Sequence, residues 1–144
     1  METDPPAREQ FQPGDKTLAF KGPEVIEPQC LECFAYEYAE IPSGQAIEIV
    51  TTTDEFTSVC PFSGLPDFAT VTLAYTPTDK CLELRSYKYY LTSYRDVGIW
   101  YEHLVNRMLE DLVRAVEPRA MRLEIACNTR GGIRSTVTAS YPAE

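Results

Sequence analysis

Polar and apolar positions alternate through AIEIVTTTDEFTSVC, where Ile47 and Ile49 stand between polar neighbours. A period of two predicts a half-buried strand starting at Ala46. FATVTLAY sets Val71, Leu73 and Tyr75 against Thr70, Thr72 and Ala74, which predicts a second strand. After LRSYKYYLTSYR the period lengthens. Trp100, Leu104, Met108, Leu112 and Val116 recur at every fourth position, and Val105, Leu109 and Val113 widen the stripe. This spacing predicts an amphipathic helix of about five turns, stopped by Pro118. AMRLEIACNT and IRSTVTASY then read as two strands around Gly131 and Gly132, a hairpin connection.

The order strand, strand, helices, strand, strand implies an α+β fold: a four-stranded antiparallel sheet with two helices packed on one face. Residues 1–20 mix charge, proline and glycine, and are expected to form a mobile tail ahead of a single domain over 21–144. No segment repeats internally.

Composition narrows the class. At 144 residues, 44% of them hydrophobic, the chain is long enough for one domain with a real core. A net charge of −9 argues against a nucleic-acid or anionic-membrane binder, because phosphate contacts need clustered Lys and Arg. No apolar run approaches the roughly 18 residues of a membrane span. Met1 to Gln10 is polar and rich in proline, unlike a secretory signal, and the five cysteines are an odd number. These features lead us to expect a cytoplasmic protein with reduced thiols.

Cys60 is the residue with the strongest chemical setting. It lies between a predicted strand and Pro61, with Asp67 seven residues on, behind the Gly64-Leu65-Pro66 turn. A bent loop can present sulfur to a pocket, and a nearby carboxylate can move protons for it. An inert packed thiol is the alternative. Cys30 and Cys33 form a CxxC pair, but zinc would need two more ligands and His103 is the single histidine, so no metal site is expected. Cys81 and Cys127 lie in apolar alternation and read as core. Glu102 opens the long helix, where a carboxylate favours the helix dipole in any case. Arg85, Lys88 and Arg95 sit among Tyr87, Tyr89, Tyr90 and Tyr94. That cluster suits either a phosphate-bearing cofactor or a solvated helix face. Neither GxGxxG nor a P-loop occurs.

Taken in order, FTSVCPFSGLPDFAT, LELRSYKYYLTSYRDVG, WYEHLVN and TRGGI resemble the NADPH-dependent 7-cyano-7-deazaguanine reductases of queuosine biosynthesis, in their short single-module form. The resemblance runs from about Glu24 to the C-terminus, and its CP…G.PDF segment is highly specific. It implies the tunnelling fold, whose subunits join edge to edge into multi-subunit barrel rings, here a homo-oligomer expected to be a decamer of two rings with active sites at subunit interfaces. The implied activity is reduction of a nitrile to a primary amine with two NADPH. Cys60 matches the nucleophile that forms a thioimide, and Asp67 the acid that protonates the nitrile nitrogen. Glu102 matches the carboxylate that reads the guanine-like edge, and Glu83 is similar to a residue near the substrate. Trp100, Tyr101 and His103 flank Glu102 in the same motif. Arg85, Ser86, Lys88 and Arg130 correspond to the cofactor-binding set.

Two positions depart from the family pattern. Tyr101 stands where family members often have His before the recognition glutamate, and it cannot take up and release a proton near neutral pH as His does. Arg85 replaces a common Lys, keeping charge with a different geometry. Three other readings remain. Amidine-forming tRNA-modifying relatives share the fold and the thioimide but not NADPH. GTP cyclohydrolases of the same topology need a Cys/His zinc site. A non-catalytic ring-forming binding module would leave Cys60 inert.

Overall fold

The computed structural model describes residues 18–38, 40 and 44–143. Most of the expected tail, residues 1–17, lies outside the described residues. Its last three residues are docked on the body. The Leu18 amide donates to Ser63 O at 2.9 Å, and the Phe20 ring lies where a Cβ on Gly98 would stand, 2.3 Å from that position.

After two short 3-10 turns, Pro23–Val25 and Pro28–Cys30, come β1 (Cys33–Ala35), β2 (Ile49–Val59), β3 (Pro66–Thr76), β4 (Lys80–Leu82), α1 (Leu84–Thr92), α2 (Tyr101–Val116), β5 (Ala120–Cys127) and β6 (Thr136–Tyr141). The main sheet runs β2-β3-β5-β6, antiparallel throughout. The two predicted strand pairs are thus joined into one sheet by β3 against β5. A second, two-stranded sheet pairs β1 with β4. Those strands have three residues each, too short for a period to show in the sequence.

Alternation decides which face is inside. Ala69, Val71, Leu73 and Tyr75 of β3 and Met121, Leu123 and Ile125 of β5 are buried, while their neighbours are not. Against this face lies the apolar stripe of α2: Leu104, Val105, Met108, Leu109, Leu112 and Val116. Each such side chain contributes about 1.5–3 kcal/mol when fully buried. The α1 segment covers the same face near β2, where Phe56 and Tyr94 rings pack at 5.6 Å. Asp111 is also buried in the α2 stripe, and it is satisfied there. It accepts from Tyr90 Oη at 2.7 Å and Arg107 Nε at 2.9 Å. No described helix is long and apolar enough to cross a membrane.

Three features differ from the sequence reading. The ladder of β2 begins at Ile49, and Ile47 outside it is exposed. Trp100 leaves the helical stripe and is half-exposed, because it is the N-cap of α2 with extended backbone (φ −71°, ψ 145°). The alternation in β2 also changes phase at a bulge between Thr53 and Phe56. One extra residue turns Phe56 and Ser58 to the buried face, where continued alternation from Ile49 would have sent them outward.

Candidate active site

Beyond the bulge, β2 and β3 pair as far as Val59 opposite Pro66, and the turn that follows carries Cys60. The Cys60 amide donates to Leu65 O at 2.9 Å, and the Gly64 amide donates to Cys60 O at 2.8 Å. Gly64 has φ +74°, and a Cβ there would come within 2.2 Å of Leu18 O. Only glycine suits both conditions. Val59 is also held to the segment before α2: its amide donates to Val97 O at 2.9 Å, and Ile99 donates back at 3.2 Å. That bridge sets Trp100 and the first turn of α2 beside the cysteine turn.

Cys60, Asp67, Trp100, Tyr101, Glu102 and Arg130 line one cavity of about 300 Å³. Asp67 is only 6% exposed, and its Oδ1 lies 2.5 Å from Arg130 Nη1. This contact is a close charge pairing whose alignment falls short of a hydrogen bond. Burial raises the Asp67 pKa, and Arg130 offsets only part of that rise. For Cys60, burial works upward too. Backbone hydrogen bonds from Ser63 and Phe62, the Ser63 side chain and Arg130 together outweigh it, so the thiol pKa is lowered. The acid is therefore pushed toward its protonated form and the nucleophile toward thiolate, the division of labour that acid-assisted addition needs. Tyr101 donates weakly to Phe68 O at 3.4 Å. Burial first, then the Asp67 charge, keeps its phenol protonated.

The other sequence-derived candidates lie elsewhere in the chain. His103 is on the exposed side of α2 and does not line the cavity. Glu83 is the N-cap of α1, accepting from the amides of Arg85 at 2.9 Å and Ser86 at 2.7 Å. The Ser86 hydroxyl is buried and accepts from Glu32 N at 2.8 Å while donating to Glu83 O at 2.7 Å. Arg85 is exposed, and Lys88 is paired with Glu55. Cys127, Asn128, Ile133 and Ser135 also line the Cys60 cavity, and the sequence reading did not place them there. The one signal for them is position: they flank Arg130 at the β5–β6 hairpin. Burial pushes the Cys127 thiol up to about 11, so it stays neutral beside Cys60.

A model of the QueF-like protein family matches residues 66–144. A reductase of Chloroherpeton thalassium named NADPH-dependent 7-cyano-7-deazaguanine reductase is 50% identical over 83% of this chain and 99% of its own length. The protein of the same name from Chlorobaculum tepidum is 54% identical over 81% of this chain and 96% of its own. The chain belongs to the family of NADPH-dependent 7-cyano-7-deazaguanine reductases. Among solved structures, the archaeosine synthase QueF-Like in the apo form matches with a TM-score of 0.59 and 28% identity, covering 70% of this chain and 95% of that one.

A reductase that uses NADPH needs cations for the dinucleotide phosphates. Lys88 and Arg95, with the hydroxyls of Thr53, Thr57 and Thr92, border a cleft of about 310 Å³ between α1 and β2. Two cations at one cleft fit a phosphate, while the Thr57 and Thr92 hydroxyls are spent on Asp67 O and Lys88 O, each at 2.8 Å. The Lys88–Glu55 pair does not block it, since both side chains are more than 60% exposed and exchange readily for a stronger anion. Ser86 offers no free hydroxyl to a ligand in this arrangement, because its hydrogen bonds are spent tying α1 to Glu32.

Proposed function

We propose that this chain reduces the nitrile of 7-cyano-7-deazaguanine to the primary amine, 7-aminomethyl-7-deazaguanine, with NADPH as reductant, in queuosine biosynthesis. One observation carries the reading. The lowered thiol of Cys60 and the buried, raised carboxyl of Asp67 face one cavity from the two arms of a single hairpin.

In this reading the Cys60 thiolate adds to the nitrile carbon and forms a C–S bond. One electron pair of the triple bond moves to nitrogen, which takes a proton from Asp67. Covalent addition converts a poor hydride acceptor into a thioimide and splits one hard step into easier ones. NADPH supplies the hydrides, one molecule for each of the two reductions. Between them the C–S bond breaks, Cys60 leaves as thiolate with its electron pair, and an imine remains. A second proton completes the amine, so one nitrile consumes two NADPH and two protons.

Glu102, at the cavity mouth, accepts hydrogen bonds from the guanine-like edge, and the Trp100 ring gives the flat base an apolar surface. Lys88, Arg95 and the exposed Arg85 hold the dinucleotide phosphates. Two features support the tunnelling fold and ring assembly. Among the described residues the sheet ends in unpaired edges at β2 and β6, and Phe62, Leu65, Phe68, Trp100 and Ile133 are all exposed around the cysteine turn and cavity. An apolar rim of this kind suits a site completed by a second copy, as in a decamer of two rings.

The second reading is an amidine-forming activity, favoured by the likeness to the archaeosine synthase QueF-Like. The higher identity to the reductases and the cation set on α1 weigh against it. Incubation of the free nitrile, and separately of tRNA already carrying the nitrile, with NADPH and ammonium separates the two. Reduction gives an amine and consumes NADPH, whereas the alternative gives an amidine and leaves NADPH intact.

A further inference from the structure

The β5–β6 connection ends in a two-residue turn with both backbone bonds formed: Arg130 N to Ile133 O and Ile133 N to Arg130 O, each 2.9 Å. Gly131 and Gly132 hold φ +55° and +79°, values that strain any other residue. A Cβ on either glycine would touch nothing within 4 Å, so glycine is needed here for backbone conformation and not for space. Register fixes where the turn sits. Ala69 is opposite Cys127, and the Asn128 amide continues the pairing to Phe68 O at 3.0 Å. Two residues further, the Arg130 side chain meets Asp67.

The charges in the cavity are unbalanced. Facing it are Cys60 from the end of β2, Asp67 from β3, Tyr101 and Glu102 from α2, Cys127 from β5, and Arg130 from the turn. Among the described residues that line it, Arg130 carries the only positive charge. A thiolate forming on Cys60 beside an ionised Asp67 would put two negative charges in a poorly solvated space. One guanidinium within reach of both makes a single shared negative charge acceptable, and its fork of donors suits two acceptors at once.

We propose that Arg130 is a positioning residue: the Gly131-Gly132 turn presents its guanidinium as the shared counter-cation of Cys60 and Asp67, holding the carboxylate in place and the sulfur ready for addition. The 2.5 Å contact with Asp67 and the cavity that Arg130 shares with Cys60 both support this, as does its part in lowering the Cys60 thiol. The inference rests on Cys60 and Asp67 being the nucleophile and the acid of the proposed reaction.

The test is the pH dependence of Cys60 alkylation by iodoacetamide, followed at the Cys60 peptide by mass spectrometry. Wild type is compared with Arg130→Gln, Arg130→Lys and Gly132→Ala, the last keeping the guanidinium but straining its turn. We expect Arg130→Gln to move the alkylation profile to higher pH and to slow labelling at neutral pH about tenfold. Arg130→Lys should restore part of the rate, and Gly132→Ala should shift the profile in the same direction as Arg130→Gln. In an Asp67→Asn background the Arg130→Gln shift should persist or grow, because the guanidinium then serves the sulfur alone. Superimposed profiles for wild type and Arg130→Gln would overturn the proposal, and so would disappearance of the shift in the Asp67→Asn background. Alkylation needs neither nitrile nor NADPH. A shifted profile in a protein that reduces no nitrile would therefore keep the positioning role and remove the reaction.

Discussion

Ser58 of β2 stands directly opposite Asp67 of β3 in the antiparallel ladder, and both are buried. Opposite residues in such a pair share one face, with Cβ atoms about 4.5–5.5 Å apart. The β2 bulge creates this pairing. Without its extra residue, Thr57 would face Asp67, and the cysteine turn would begin one residue out of phase. The geometry that joins Cys60 to Asp67 is therefore decided several residues before either of them.

Asp67→Asn is expected to lower turnover by about 10²–10⁴-fold with little change in nitrile affinity. Asparagine keeps the shape of the side chain, so the loss reports proton transfer. Steady-state NADPH oxidation separates kcat from KM. Near wild-type turnover would place the acid elsewhere.

The same variant makes a stability prediction. Burial, partly offset by Arg130, raises the Asp67 pKa in the folded protein above its unfolded value. The folded state then binds the proton more tightly than the unfolded state. The stabilisation this gives is fully present below the ordinary aspartate range and is lost as pH rises through the folded pKa. At neutral pH the wild type therefore carries a penalty that Asp67→Asn lacks. Thermal melts should show the variant with the higher Tm at neutral pH, and the gap should narrow as pH falls below the carboxylate range. A constant gap across pH would contradict this origin.

Glu102→Gln should weaken nitrile binding by at least about tenfold while leaving the melting temperature nearly unchanged. Glu102 is exposed at the first turn of α2, where loss of one charge disturbs the fold little. Calorimetry with the nitrile reads the effect. Unchanged binding would leave Glu102 with a dipole role only.

Ser58→Ala removes a fully buried hydroxyl that finds no hydrogen-bond partner among the described residues. Deleting an unpaired polar atom loses no bond, so stability should change by less than about 1 kcal/mol or rise. A larger loss in denaturant unfolding would mean that the hydroxyl is satisfied, for instance by a bridging water to Asp67.

Much of this site is local in sequence, which is why it could be read there. Cys60, Pro61, Gly64 and Asp67 lie in one hairpin, and Trp100, Tyr101 and Glu102 on one helix start. Arg130 stands out in the sequence only through its motif, and its place on Asp67 depends on β3 pairing with β5. That contact is long-range, and no pattern within either strand announces it. Trp100 fits the helical spacing yet is the cap, because periodicity alone cannot tell the last extended residue from the first helical one. The phase change in β2 was hidden for a similar reason: Asp54 and Glu55 are polar on either face, so the bulge leaves no mark in the alternation. Glu83 and Ser86 read as ligand groups in a motif. The structure has them capping α1 and tying it to Glu32, a role that depends on backbone atoms a motif does not show.

The central claim is that Cys60 acts as the nucleophile of an NADPH-consuming nitrile reduction. The most direct measurement follows NADPH oxidation by wild type and Cys60→Ala with 7-cyano-7-deazaguanine, alongside intact-mass spectrometry of each protein with the nitrile alone. Wild type should consume two NADPH per nitrile and, without NADPH, gain one substrate mass per chain, while Cys60→Ala should do neither. An adduct that persists in Cys60→Ala, or a wild-type protein that leaves NADPH untouched, would contradict the account.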